Sequence, residues 1–331
     1  MRGAAVRAKI EGSALKTTSK RTSVIPRLLR SRLRRGAHPG WMKFGVDPDP
    51  EDGYVYVTQY YSDTINQYRA NNQNNDPPIC EIPSKSRFPQ GVKTDTVGTL
   101  YATEDVGVAT FGPNCGAPGT TYADPENVSS DDVAIDGTTL YDSNLNGGDN
   151  PATIEVYALG DPHPSRQLSS PSVLTGIGLA VDSHHNLFWS AASQEFNDGF
   201  VVEFPEGSDA GIVLNSTRIG SDFPGGVIID RTDNLLLVDQ NSKSIYIYAP
   251  PYDAPAFSTI RLKGTTVDCA MGLLEKRLYC LDYEYGSVDI YAYPAGTYIN
   301  SFTNGINAPY EPEGIAVQAP CPTLSRAKCG E

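Results

Sequence analysis

Histidine is scarce in this 331-residue chain: there are only four, beside three methionines and two tryptophans. So few imidazoles leave little from which to build a histidine-ligated zinc or copper centre. No apolar run is long enough to cross a membrane as a helix. GxSxG, GxxxxGK[ST], HExxH and CxxC are all absent from the sequence. The nucleophile elbow, the phosphate-binding loop and the commonest zinc arrangements therefore lose their usual signatures. Helical periodicity is missing too, so an all-β chain is expected.

Charge is unevenly distributed. Residues 1–40 hold 11 Lys/Arg against a single acid, Glu11, whereas the remaining 291 residues hold 15 Lys/Arg and 38 Asp/Glu. The body of the protein thus carries a formal charge of −23 and the opening segment +10. An acidic body argues against nucleic acid or an anionic membrane as partner and favours cations, basic partners or plain solubility. Residues 1–45 read as a basic, unstructured leader, 46–318 as a folded domain and 319–331 as a tail.

The strongest positive signal is a repeat. Aromatics at Tyr68, Phe111, Tyr157, Phe204, Tyr248 and Tyr291 are spaced by 43, 46, 47, 44 and 43 residues. Each closes a strand-like run ("TINQY", "GVATF", "TIEVY", "GFVVEF", "SIYIY", "SVDIY") that follows another ("YVYVT", "TLYATE", "TLYDS", "NLFWS", "NLLLVD", "RLYCLD"). A third run precedes these two and a weaker fourth follows. Four short strands every 40-odd residues indicate a six-bladed β-propeller of four-stranded blades. The first unit lacks a good innermost strand, and "PEGIAV" (312–317) is a first strand with no blade after it. The C-terminal strand is therefore expected to complete the N-terminal blade, which also hides the sheet edges and predicts a monomer.

Strings such as "PGGVIIDRTDNLLLVDQNSKSIYIY" resemble NHL-repeat propellers, in the broad group with gluconolactonase-like and virginiamycin B lyase-like propellers. The resemblance covers roughly residues 46–318. It implies the fold; the fold itself hosts lactonases, lyases and binding scaffolds. The lyases rely on histidines that have no counterpart here, so none of their site residues is carried over.

In an antiparallel blade, second-to-third hairpins and blade-to-blade links share one end of the ring, where propellers of this kind receive ligands. The sequence places acids and amides there: Glu104, Asp142, Asn144, Asp239 and Asp282 as ligand-binding candidates, with Asp131, Asp132, Asp222, Asp268, Glu311 and Glu313 in the links. Oxygen donors without histidine suit Ca²⁺, with Glu104, Asp142, Asp239 and Asp282 as metal candidates. No cofactor is required by the residues, and Ca²⁺ is the one this set would take. The competing reading is that an acid after the second strand belongs to the repeat and bonds turn amides. His184, His185 and His163 fall at the opposite end.

Two functions follow. The first is a non-catalytic binding propeller with an acidic channel face, taking a small molecule, carbohydrate or protein ligand. The alternative, implied by the resemblance, is a Ca²⁺-dependent lactonase-like hydrolase in which the metal polarises a carbonyl. Tyrosines in "QYYSD" and "DYEYG" could line a carbohydrate or peptide groove, but are expected mainly as rim or blade packing. Of the six cysteines, Cys269 and Cys280 flank one hairpin as diagonal neighbours, Cys321 and Cys329 bracket the tail, and Cys80 and Cys115 show no partner. An even cysteine count and glycosylation triplets at Asn127 and Asn215 point to a secreted or periplasmic protein.

Overall fold

A computed structural model describes residues 53–125, 129–145, 151–193, 198–214 and 223–318. The leader 1–45, the tail 319–331 with Cys321 and Cys329, and Asn127, Asn215, Gln194, Glu195 and Asp222 lie outside the described residues.

The described residues form 24 β-strands in six antiparallel sheets of four. In chain order, β1 (Tyr54–Gln59), β2 (Thr64–Arg69) and β3 (Cys80–Pro83) belong to blade 1. Blade 2 is β4 (Val92–Thr94), β5 (Leu100–Glu104), β6 (Gly107–Phe111) and β7 (Pro118–Ala123). Blade 3 is β8 (Ser130–Asp136), β9 (Thr139–Asn144), β10 (Thr153–Ala158) and β11 (Arg166–Ser169). Blade 4 follows with β12 (Thr175–Val181), β13 (Leu187–Ala192), β14 (Gly199–Phe204) and β15 (Ile212–Val213). Blade 5 is β16 (Pro224–Ile229), β17 (Leu235–Asp239), β18 (Ser244–Tyr248) and β19 (Ser258–Arg261). Blade 6 is β20 (Thr266–Met271), β21 (Arg277–Asp282), β22 (Ser287–Ala292) and β23 (Thr297–Phe302). The last strand, β24 (Pro312–Gln318), pairs with β1 through Val55↔Val317 and Val57↔Ile315. The C-terminal strand therefore closes the N-terminal blade, and the ring is six-bladed.

Burial follows from position in the blade. The second and third strands lie between neighbouring blades, so both of their faces are covered and both can be apolar. "LLLVD" of β17 is buried throughout. Outer strands have water on one side and alternate, as in β19 with its single buried Ile260. The six repeat aromatics Tyr68, Phe111, Tyr157, Phe204, Tyr248 and Tyr291 are all buried. Each such ring contributes about 2–3 kcal/mol of apolar burial.

The inner strands carry a shared irregularity. Register shifts interrupt their pairing in five blades, at Ser130/Asp132, Gly176/Leu179, Pro224/Val227, Thr266/Cys269 and, across the closure, Val57/Gln59. At the equivalent position of the six inner strands stand Gly314, Gly91, Asp132, Gly178, Gly226 and Asp268. Neighbouring backbones crowd there: a Cβ on Gly178 would lie 2.7 Å from the Cα of Gly226. Hydroxyls of the second strands stitch one blade to the next at this level. Thr58 Oγ1 donates to Gln90 O at 2.6 Å, Thr103 Oγ1 to Asp131 O at 3.1 Å and Ser190 Oγ to Gly225 O at 2.7 Å.

Two disulfides lie within the described residues. Cys80–Cys115 joins blade 1 to blade 2, giving both cysteines a partner that the sequence did not suggest. Cys269–Cys280 bridges directly opposed positions of β20 and β21. The sequence suggests a diagonal offset, which a two-residue turn would give; the actual connection is longer, with Gly272 N–H donating to Arg277 O, and this brings the pair into register.

Candidate functional site

Second-to-third hairpins and blade-to-blade links do share one end of the ring, and the inner strands start there. The candidates at the ends of second strands are buried in holding those links. Glu104 accepts hydrogen bonds from the backbone N–H groups of Lys85 and Ser86 and from Ser86 Oγ, all in the link entering its own blade. Asp239 accepts from Asn241 N at 3.1 Å and Ser242 N at 3.2 Å in its hairpin, and from Phe223 N in the link. Asp282 accepts from Glu284 N at 3.1 Å and Tyr285 N at 3.2 Å, while Gly264 of the link passes so close that a Cβ there would overlap the carboxylate. Gln59, the blade 1 counterpart, donates Nε2–H to Gly305 O at 2.9 Å. Polar residues at one register position thus hold the hairpins and links at this end of the ring.

Asp142 differs. It lies inside β9, not in the connection after it, opposite Val133 and Glu155. The true counterpart of Glu104 is Asn144. Ser130 Oγ donates to Asp142 Oδ2 at 3.0 Å, while Asp142 Oδ1 and Asn144 Oδ1 are buried with no hydrogen-bond partner. Desolvation first, and then the charges of Asp124, Glu155 and Asp132, push the Asp142 carboxyl well above the ordinary carboxylate range, against a lowering bond from Ser130.

Calcium asks for six to eight oxygens around one point. Glu104, Asp239 and Asp282 spend theirs on separate turns, and among the described residues no three His, Cys, Asp or Glu side chains gather to hold a metal ion. As placed, the donors do not fit a shared Ca²⁺ site, and no reaction step is drawn through one. His184 and His185 lie at the other end, exposed in the β12–β13 hairpin, with His185 Nδ1 2.8 Å from Asp136.

What the inner strands do contain is a charged hub. Asp132 and Asp268 come from blades 3 and 6, opposite one another in the ring, where four other blades have glycine. Lys93, two residues beyond Gly91 in blade 2, lies 3.0 Å from Asp132 and 3.8 Å from Asp268. Asp132 Oδ2 also accepts Leu179 N–H of blade 4 at 2.8 Å, and Asp268 Oδ2 accepts Ile315 N–H of blade 1 at 3.2 Å. On blade 5, Gly226 leaves room for Asp268, since a Cβ there would sit 2.0 Å from Oδ1. Inner strands of all six blades thus meet at one lysine and two aspartates. Desolvation opposes the charge on Lys93, but Asp132 and Asp268 outweigh it and raise its pKa. Asp268 is pushed up to about 6, chiefly by desolvation, with Lys93 working against the rise. Buried charges survive only with such pairing.

A second feature lies on the surface of the same end. Tyr60 and Tyr61 in the β1–β2 hairpin and Phe88 in the β3–β4 link form one aromatic group, and Tyr283 in the β21–β22 hairpin and Tyr310 in the β23–β24 link form a second, with Tyr285 in the same hairpin as Tyr283. Tyr60 stacks on Phe88 at 4.9 Å and meets Tyr61 edge-on at 4.8 Å. Tyr283 and Tyr310 lie 5.1 Å apart. Glu311 joins the two groups, accepting the amides of Tyr61 and Ser62 on its carboxylate while its carbonyl takes Tyr60 N–H. Tyr61, Tyr285 and Tyr310 are 56%, 72% and 50% exposed, so Tyr61 and Tyr285 are rim residues and not blade packing. Phe88 and Tyr310 hold φ angles of 54° and 67°. That left-handed region costs a bulky side chain about 1–2 kcal/mol. Asp63 Oδ1 fixes the Phe88 amide at 2.9 Å, and Tyr283 O fixes that of Tyr310 at 2.9 Å.

No family model matches the chain, and no curated protein matches it. Solved structures do. A chain from the crystal structure of a nidogen/laminin complex is 18% identical, covering 80% of this chain and 98% of that one, with a TM-score of 0.64. The fold is that of the six-bladed propellers. A protein of unknown function from Bacteroides caccae is 11% identical over 81% of this chain and all of that one, at a TM-score of 0.63. A streptogramin B lyase structure is 10% identical over 76% of this chain and 74% of that one, at 0.49. Identities this low establish architecture and carry no activity.

Proposed function

We propose that this propeller is a non-catalytic binding module that receives its ligand on the end bearing the second-to-third hairpins. The observation that carries the reading is the aromatic surface through blades 6, 1 and 2, half or more exposed at Tyr61, Tyr285 and Tyr310. Exposed tyrosines gathered at one end, with Phe88 and Tyr310 among them held in a costly backbone conformation, are typical of recognition surfaces. Glu104, Asp239 and Asp282 are committed to turns and links, and Asp132 and Asp268 to Lys93, which leaves these five poorly placed to activate water. Protein ligands are in keeping with a fold that is shared with a chain of the nidogen/laminin complex. Two disulfides favour an oxidising, exported setting. No described helix is long and apolar enough to cross a membrane.

The test pairs binding with turnover. The protein and a Tyr61→Ser/Tyr285→Ser variant are screened on glycan and peptide arrays, and both are assayed against a panel of lactones and esters with and without Ca²⁺. Array ligands that are lost in the variant, together with no turnover, support the reading. Calcium-dependent lactone hydrolysis, or array binding indifferent to the aromatics, overturns it.

A further inference from the structure

We infer that the aromatic surface of blades 6, 1 and 2 is the docking site for a lysine- or arginine-rich segment of a partner protein, an assignment that rests on the binding reading above and gives it a chemistry. Three observations converge. The first is charge: outside residues 1–40 the chain carries −23, and the hairpins and links around the tyrosines contribute Asp63, Asp105, Glu284 and Glu311 against Lys85, Arg87 and Lys243, an excess of one acid. These three cations are held within the surface. Lys85 Nζ donates to Gly119 O and Thr121 Oγ1, both at 2.7 Å, Arg87 lies 3.8 Å from Asp63, and Lys243 lies 3.2 Å from Glu284.

The second is an internal example of the contact itself. The Arg87 guanidinium sits 4.5 Å from the centre of the Phe88 ring, so one aromatic of this surface already holds a cation on its face. Cations are drawn to the negative face of an aromatic ring, more strongly where acids add to the field. Tyr61, Tyr285 and Tyr310 offer the same chemistry to an incoming side chain. The third is extent and preorganisation. Two hairpins and two links contribute, tied together by Glu311, Asp63 and the bond from Asn307 Nδ2 to Ser62 Oγ at 2.9 Å. A surface assembled from four connections matches a chain segment with several cations better than a single small ligand, and little ordering is left to oppose binding.

The experiment uses the full chain and two probes: a fluorescent peptide of alternating Lys and Gly with an Arg-Gly counterpart, and cellohexaose as a neutral stacking ligand. Each is titrated against the wild type and a Tyr61→Ser/Tyr285→Ser/Tyr310→Asn variant, with asparagine chosen to tolerate the left-handed backbone. Both proteins should melt cooperatively, the variant somewhat lower because Tyr61 and Tyr310 give up ring contacts with Tyr60 and Tyr283; Tyr285→Phe, which keeps the ring, should bind like the wild type. The expected result is that the basic peptides bind, lose tenfold or more in affinity in the triple variant, and weaken between 50 and 300 mM salt. Cellohexaose binding that depends on the tyrosines, without peptide binding, overturns the basic-segment inference and leaves the surface as a ligand site. Peptide binding unchanged in the variant, or no response to either probe, overturns the inference, while the wider reading then stands or falls on the arrays.

Discussion

Lys93 is the residue whose loss should be felt most widely, because its ammonium faces two carboxylates that have no other cation beside them in the hub. Removing one member of a buried charge group leaves the rest uncompensated, which costs about 3–5 kcal/mol. The pH dependence has a definite sign. Asp268 titrates near 6 in the folded protein, above its ordinary value, so folding retains a proton there and its contribution declines as pH rises from about 4 through 6. Without Lys93 the carboxyl loses its lowering influence and that decline extends to higher pH. Lys93→Met should therefore destabilise the protein by about 3 kcal/mol at pH 8 and clearly less at pH 5, read by denaturant titration at both. An equal loss at both pH values would show that the aspartates are not the groups it serves. None of this was legible in the sequence: Asp132 and Asp268 were visible as link acids, but Lys93 is 39 and 175 positions away from them and carries no local signal.

At the scale of the strand, the sequence is far more informative. The repeat aromatic and the apolar runs specify which face turns inward, and a slip of one residue would reverse every side chain. Tyr248, opposite Leu235 and buried between blades, should cost about 3–5 kcal/mol when replaced by alanine, measured by denaturant unfolding. A loss below about 1 kcal/mol would contradict the register. The same local logic explains what was misread. Asp142 lies two residues before the end of β9, and only alignment of "TLYDSN" with "TLYATE" shows Asn144 to be the counterpart of Glu104. Whether Tyr61 or Tyr285 faces a blade or water depends on how two links pass above them, and hairpin composition does not encode that.

For the whole molecule, the seam between β24 and β1 decides whether the ring exists. Deleting residues 312–331 removes Ile315 from the core and opens the edge of β1, so the expected outcome is cooperative collapse with aggregation. Light scattering and a melting curve report it, with a deletion of 319–331 alone as the comparison, expected to remain monomeric. A monomeric, fully cooperative protein after the longer deletion would mean the ring closes by other contacts. Closure was readable in advance because a strand-like "PEGIAV" had no blade of its own and the first blade lacked one strand.

The seam also has a mechanical consequence. Tyr54 and Gln318 face each other at one end of the β1–β24 ladder, so the polypeptide enters and leaves the ring side by side. Tension applied between those two points would pull the strands apart like the halves of a zip, loading Tyr54↔Gln318, then Val55↔Val317, then Tyr56↔Ala316, one rung at a time. A ladder pulled along its length shares the force among all its bonds; one peeled from its end does not. A ring closed by six packed blades would thus open under a directed pull at its own clasp.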